Sequence, residues 1–281
     1  MRARVPASTA NLGPGFDALA LALSLYVEVD VEPAGELRII GTGEGSDLPT
    51  GPDHLAAQVV RTVTGHDRFT ITVDSEIPVG RGLGSSASLA VAAAAAAGAA
   101  DPLAVAAEVD GHAENAAASV LGGLVTAAMI DGAPLAFRLS LDDALAFVVL
   151  VPDRTLPTRE ARAALPATIP HGDAGFNLGR MGLLVAGLAD HRRLVAEAMD
   201  DRVHQQQRTP LFPESVALLD GLRDAGALAS AWSGAGPSLL AVCTNDSVDA
   251  VQRAGERLLA DADVAGRSLK LTPDLEGLVV D

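Results

Sequence analysis

Apolar and acidic residues alternate over Tyr26–Pro33 (YVEVDVEP), and apolar and polar residues alternate over Phe69–Val73 (FTITV). A period of two predicts strands with one exposed face. Short strands are expected at Ala3–Ala7 and Leu37–Ile40, with an apolar run at Ala18–Leu25, and helical spacing covers His54–Val63. Ser85–Ala100 is a long run of small residues that predicts a helix, because Ala has the highest helix propensity and lets neighbouring backbones come close. Helices are expected over Pro102–Asp110 and Asn115–Leu121, then strands over Gly122–Met129 and Leu135–Leu139. Ala144–Val151 (ALAFVVLV) has no polar break and reads as a fully buried strand that opens a second half. There the pattern predicts helices at Arg159–Ala164, Gly175–Leu188, His191–Met199, Glu214–Ala225 and Ser247–Asp261. Strands are expected at Ala227–Ser233, Leu239–Cys243 and Arg267–Leu271. The mixture indicates an α+β protein with antiparallel sheets, divided into residues 1–143 and 144–281.

Composition narrows this picture. The chain has 281 residues and is 49% hydrophobic, enough for a real core, but only 3% aromatic, so that core is aliphatic. A net charge of −16 argues against nucleic acid and anionic membrane as partners, though not against a phosphorylated ligand in a local site. The lone cysteine, Cys243, excludes an internal disulfide and a cysteine zinc cluster, and its apolar neighbours make it a core thiol. The start, MRARVPAS, has no apolar segment of a signal peptide, and the alanine run is short of a membrane span, so a cytoplasmic protein is expected. The single lysine, Lys270, lies far from any glycine loop, which excludes a P-loop of the Walker type.

Four segments carry candidate chemistry. In Pro78–Ala87 (PVGRGLGSSA), glycines at alternate positions permit positive φ and close backbone approach, and Ser85 and Ser86 open the long helix. Free N–H groups at such a helix start, with its dipole, suit a phosphate; the plainer alternative is a turn with a serine cap. In Pro6–Asp17 (PASTANLGPGFD), Gly-Pro-Gly shapes a tight loop from which Asn11 and Asp17 project. Asp110–Asn115 (DGHAEN) places carboxylates, a histidine and an amide together, suited to Mg²⁺ and a small polar substrate. Ser233–Ser238 (SGAGPS) is another small-residue loop between strands. Taken singly, each of the last three also reads as an ordinary turn or helix end.

Together and in this order, STANLGPGFD, PVGRGLGSSAS, GHAEN followed by LGGLV, FNLGR, DRVHQQQR and WSGAGPSLLA resemble the GHMP kinase family, and within it the branch that phosphorylates homoserine. The resemblance spans essentially the whole chain. It implies a two-domain fold, with an N-terminal domain like ribosomal protein S5 and a ferredoxin-like C-terminal domain. It implies ATP-dependent phosphorylation of the L-homoserine hydroxyl to O-phospho-L-homoserine, in threonine biosynthesis, with Mg²⁺ and a possible homodimer. ATP would be held by Pro78, Gly80, Arg81, Gly82, Leu83, Gly84, Ser85, Ser86 and Ala87, with His54 at the adenine and Ser86 and Asp110 on the metal. L-homoserine would be bound by Asn11, Asp17, His112, Asn115, Arg180 and Arg208, with His112, Asn115 and Arg180 closest to the chemistry. An acid at Asp17 suits the ammonium of a zwitterion, and arginines suit its carboxylate. The chain departs from the family in HAEN for HPDN, HQQQR for HQPYR, Asp110 for Glu and His54 for Asn. His112 could orient the alcohol or act as its base. A kinase for another small alcohol, and a non-catalytic ATP or amino-acid sensor, are the competing readings.

Overall fold

The computed structural model describes residues 1–281. In chain order its elements are β1 (Arg2–Ala10), β2 (Leu19–Pro33), β3 (Arg38–Gly43), α1 (Leu55–Thr64), β4 (Phe69–Ser75), α2 (Ser85–Ala96), α3 (Pro102–Asp110), α4 (Glu114–Leu121), β5 (Leu124–Ile130), β6 (Ala133–Arg138) and β7 (Leu145–Pro152). They continue with α5 (Thr158–Ala163), α6 (His171–Ala189), α7 (Gln205–Arg208), α8 (Ser215–Asp224), β8 (Ala229–Trp232), β9 (Leu239–Thr244), α9 (Val248–Asp261), β10 (Gly266–Leu271) and β11 (Val279–Val280).

The first sheet has seven strands, ordered β11-β1-β2-β4-β3, with β5 on the early part of β2 and β6 on β5. The apolar run at Ala18–Leu25 and the alternating run after it are one strand, β2, changing environment along its length. Residues 19–23 are buried on both faces, whereas from Val27 burial alternates. One pair departs from the expected antiparallel pattern: β3 runs parallel to β4. Helix α1 lies between them in the chain and supplies the crossover that a parallel pair requires. Helix α2 stops at Ala96, short of the expected Ala100, where Gly98 turns to φ +84°.

The second sheet is ordered β10-β7-β9-β8 and is antiparallel throughout. Its chain order, strand-helix-strand-strand-helix-strand, is the ferredoxin-like arrangement. The unbroken apolar run of β7 now has a cause. Phe147, Val149 and Val151 join the core shared with the first sheet, while Ala146, Val148 and Leu150 pack into a second core with residues of α8 and α9. Both faces are buried, so period two disappears from the sequence.

Residues 191–199 are not the expected helix but two 3₁₀ turns, His191–Arg193 and Ala196–Met199. Leu194 between them is extended and packs where a side chain on Gly187 would sit. The C-terminal residues return to the first sheet, Val279 and Val280 pairing with Arg4 and Ala3. Cys243 is buried and its thiol is pushed up to about 12 by desolvation, so it is inert. No helix is long and apolar enough to cross a membrane.

Helix α2 packs on β1, β2, α1, α3 and α4, and Ala87, Ser88 and Ala90–Ala96 are all buried. Only small side chains allow this all-round approach. Ala92→Leu should therefore destabilise the fold by about 1–3 kcal/mol through overpacking, read from urea unfolding. An unchanged midpoint would contradict this packing.

Candidate active site

The loop after β1 is held in an unusual conformation. Asn11, Leu12 and Asp17 have φ of +69°, +49° and +53°. Such values are disfavoured for non-glycine residues and persist only where the surroundings over-determine them. Asn11 Nδ2 donates to Gly234 O (2.9 Å) and its Oδ1 accepts from Asp17 N–H (3.0 Å). Gly13 O lies 2.7 Å from His204 Nε2. A side chain on Gly13 would strike the Met199 carbonyl. The strain is thus offset by a mould of neighbouring backbone.

His204 comes from the DRVHQQQR segment, which folds around Asp201. That carboxylate accepts the N–H groups of Val203 (3.0 Å), His204 (2.8 Å) and Gln205 (2.6 Å) and the Asn177 amide (2.7 Å). His204 Nδ1 accepts from Arg208 Nη1 (3.0 Å), so Nε2 carries the ring proton and donates to Gly13. Arg208 Nη1 also donates to Gly234 O (3.0 Å). FNLGR and DRVHQQQR thus act first as scaffolding, and Arg208 alone among these two segments lines the cavity.

The glycine loop meets the turn Ser233–Ser238. Ser233 Oγ donates to Gly82 O (2.6 Å), Ser238 N–H to Arg81 O (3.3 Å), and Leu156 N–H to Gly80 O (3.0 Å). Gly82 and Gly84 are glycine because the protein's own chain comes close. A Cβ at Gly82 would collide with Ser233 O and one at Gly84 with Ser8 Oγ. Gly84, at φ +69°, is the N-cap of α2, and no side chain caps this helix. The first N–H groups of α2 are therefore left for an anion. This removes the alternative of an ordinary serine cap.

A single cavity of about 790 Å³ joins these parts. Asn11, Asp17, His54, Gly80, Gly82, Gly84, Ser85, Ser86, Ala87, Asp110, His112, Asn115 and Arg208 all line it, although they come from widely separated segments. His54 caps α1, its Nδ1 accepting Ala56 N–H at 3.2 Å, and lines the same cavity as Leu48, Pro49 and Leu55. Burial lowers its pKa, so it stays neutral with Nε2–H as a donor.

Four expected residues do not reach the cavity wall: Pro78, Arg81, Leu83 and Arg180. Arg81 turns its guanidinium onto the carbonyls of Val79, Pro152 and Asp153 (2.8–3.1 Å). Leu83 is a core residue. Arg180 stacks on Phe176, 4.7 Å from the ring centroid. The structure brings Arg162 of α5 to the site instead. Arg162 Nη1 and Nη2 hold both oxygens of Asp17, at 3.0 and 2.7 Å. Arg162 and Arg208 also flank the Phe16 ring, 5.5 and 5.7 Å from its centroid.

Elsewhere in the cavity, Ser86 Oγ donates to Asp110 Oδ1 (3.2 Å). Burial raises the Asp110 pKa. These are hard oxygen donors beside the helix mouth, and a divalent cation would relieve the half-buried carboxylate. His112 Nδ1 lies 2.8 Å from Glu114 Oε1. Burial alone would lower the His112 pKa, but Glu114, and then Asp110, outweigh it and raise it.

Known proteins resemble this chain in sequence and fold. The family model for the GHMP kinases N terminal domain matches residues 53–123, and that for the GHMP kinases C terminal matches residues 184–261. The chain is 41% identical to homoserine kinase of Streptomyces coelicolor, over 100% of this chain and 94% of that protein. It is 39% identical to homoserine kinase of Moorella thermoacetica, over 85% and 86% respectively. The crystal structure of homoserine kinase from Cytophaga hutchinsonii superposes with a TM-score of 0.87 at 26% identity, covering 100% of this chain and 97% of that one.

The network around His204 generates a pH prediction. Its burial holds its pKa below the ordinary value, so the folded chain resists a proton that the unfolded chain accepts near ~6.5. The His204 contribution is complete above pH ~6.5 and is lost as pH falls, by up to about 1.4 kcal/mol per unit. Urea unfolding at pH 7 and 5.5 should show His204→Gln losing less stability on acidification than the unmodified chain. Parallel losses would contradict the buried neutral histidine.

Proposed function

The chain belongs to the GHMP kinase family, in its homoserine kinase branch, and on that premise we propose how its cavity transfers a phosphoryl group from ATP to L-homoserine. The observation that carries this reading is Asp17 held by Arg162, with Arg208 beside it, in the same cavity as the uncapped mouth of α2. A zwitterionic amino acid can insert into this ion pair, its ammonium on Asp17 and its carboxylate on Arg162 and Arg208. Arg208 stays charged although burial lowers its pKa to about 10. Asn11 fixes Asp17 by accepting its N–H.

The triphosphate is read onto the N–H groups of Ser85, Ser86 and Ala87, with the base against His54. Ser86 and Asp110 would hold Mg²⁺, which supplies charge neutralisation to the phosphates. The homoserine hydroxyl oxygen attacks the γ-phosphorus, the bond to the bridging oxygen breaks, ADP leaves, and the hydroxyl proton passes to solvent. Such a transfer depends mostly on position and charge stabilisation. Glu114 occupies Nδ1 of His112, which leaves Nε2 to the alcohol. We read His112 and Asn115 as orienting the hydroxyl. The reaction supplies an activated intermediate to threonine biosynthesis, and cytoplasmic localisation and a homodimer belong to the same proposal.

The test is a coupled assay with MgATP and L-homoserine, using other small alcohols as comparators. Selective turnover of L-homoserine is expected; equal turnover of the comparators, or tight binding without transfer, would overturn the reading. Asp17→Asn and Arg162→Gln should raise the KM for L-homoserine about 10–100-fold, from ~1.5–3 kcal/mol per charged hydrogen bond. Arg162→Gln should act more strongly than Arg180→Gln. Ser86→Ala should act mainly on the ATP side. Equal effects on both substrates would contradict this division.

A further inference from the structure

The reaction as derived uses only the contact of Glu114 with His112, yet its burial and its second contact call for more. It is the first residue of α4 and is 1% exposed. A buried carboxylate is unfavourable unless paired. Its Oε1 accepts from Asn115 Nδ2 at 3.2 Å and lies 2.8 Å from His112 Nδ1 in an ion-pair contact without a hydrogen bond, so that His112 Nδ1 and Glu114 Oε2 are both buried without a hydrogen-bond partner. The other end of Asn115 is also tied, Oδ1 accepting from Ser8 Oγ at 2.9 Å. Ser8 is pinned in turn. Its N–H donates to Leu83 O (3.1 Å), and its hydroxyl fills the space in front of Gly84. A continuous chain therefore runs from His112 through Glu114, Asn115 and Ser8 to the N-cap of α2.

We propose that Glu114 is a positioning residue that fixes the acceptor-orienting pair His112–Asn115 relative to the phosphate cradle at Gly84–Ala87. This rests on the functional reading above. One oxygen, hydrogen-bonded to the amide and ion-paired with the imidazole, keeps the two from drifting apart, and Ser8 ties that pair to the helix mouth. When the acceptor alcohol is misplaced, water can take its role. Its oxygen then bonds to the γ-phosphorus, the bond to ADP breaks, a proton goes to solvent, and inorganic phosphate forms in place of phosphohomoserine.

The test measures ADP and O-phosphohomoserine side by side at saturating MgATP and L-homoserine. The unmodified enzyme should give a ratio near one. Glu114→Ala should lower phosphohomoserine formation about 10²-fold, the scale of a 1 Å misplacement. ADP release should fall less, so the ratio rises, with the KM for L-homoserine changed by less than about threefold. Glu114→Gln keeps an acceptor oxygen and the side-chain shape and should bring the ratio back toward one. A purely structural role would reduce both products together. A ratio of one in Glu114→Ala, or a KM increase as the main effect, overturns the proposal. If Glu114→Ala does not fold, Ser8→Ala decides: a raised ratio supports the chain of contacts and a ratio of one overturns it. An unmodified enzyme that makes no phosphohomoserine sinks the functional reading and this role together; one that makes it while the variants stay coupled sinks this role alone.

Discussion

The turn at Ser233–Ser238 is where the site is held together. Its Gly234 carbonyl accepts from Asn11 and Arg208, its Gly234 N–H donates to the Ala10 carbonyl, its Ser233 hydroxyl donates to the Gly82 carbonyl, and its Ser238 N–H donates to that of Arg81. The turn belongs to the second sheet, and its partners belong to β1, to the loops of the first half and to α7. The strained loop at 11–17 and the glycine loop are thus shaped by the same short segment. The 11–17 loop could not hold the positive φ of Asn11, Leu12 and Asp17 alone, because each departure costs of order 1 kcal/mol or more and needs surrounding contacts to persist.

This arrangement explains why the glycines matter in a way that ligand approach alone does not. Gly82 and Gly84 are crowded by the protein's own backbone and by Ser8. Their absent side chains let the second sheet and the first loop press against the helix mouth. The N–H groups at α2 are then free because no side chain can fold back to cap them. The same packing demands an alanine helix behind the cradle, since β1, β2 and three helices converge on it.

Much of this was legible in the residues. The half-exposed strand around Tyr26–Pro33, the alanine helix and the buried β7 followed from hydrophobic spacing, and the order of the motifs pointed to the family. The failures have physical causes. Periodicity cannot show that Ala18–Leu25 and Tyr26–Pro33 are one strand, because its burial changes halfway. It cannot separate a helix from the 3₁₀ turns at 191–199, where Leu194 leaves the helical path to pack on Gly187. The motif order points to Arg180 and gives no signal for Arg162. Both are arginines in helical patterns, and only tertiary structure shows that α5 borders the cavity while Arg180 stacks on Phe176. Glu114 stood inside a recognised motif, but its ion pair with His112 and its hydrogen bond from Asn115 are properties of space and not of spacing.

The central claim is that one cavity seats a triphosphate on the first turn of α2 and a zwitterion between Asp17 and the Arg162–Arg208 pair. A crystal structure with a non-hydrolysable ATP analogue and L-homoserine tests it most directly. The account predicts phosphate oxygens on the N–H groups of Ser85–Ala87 and the amino-acid carboxylate on Arg162 and Arg208. Phosphates bound elsewhere, or a carboxylate held by Arg180, would contradict it.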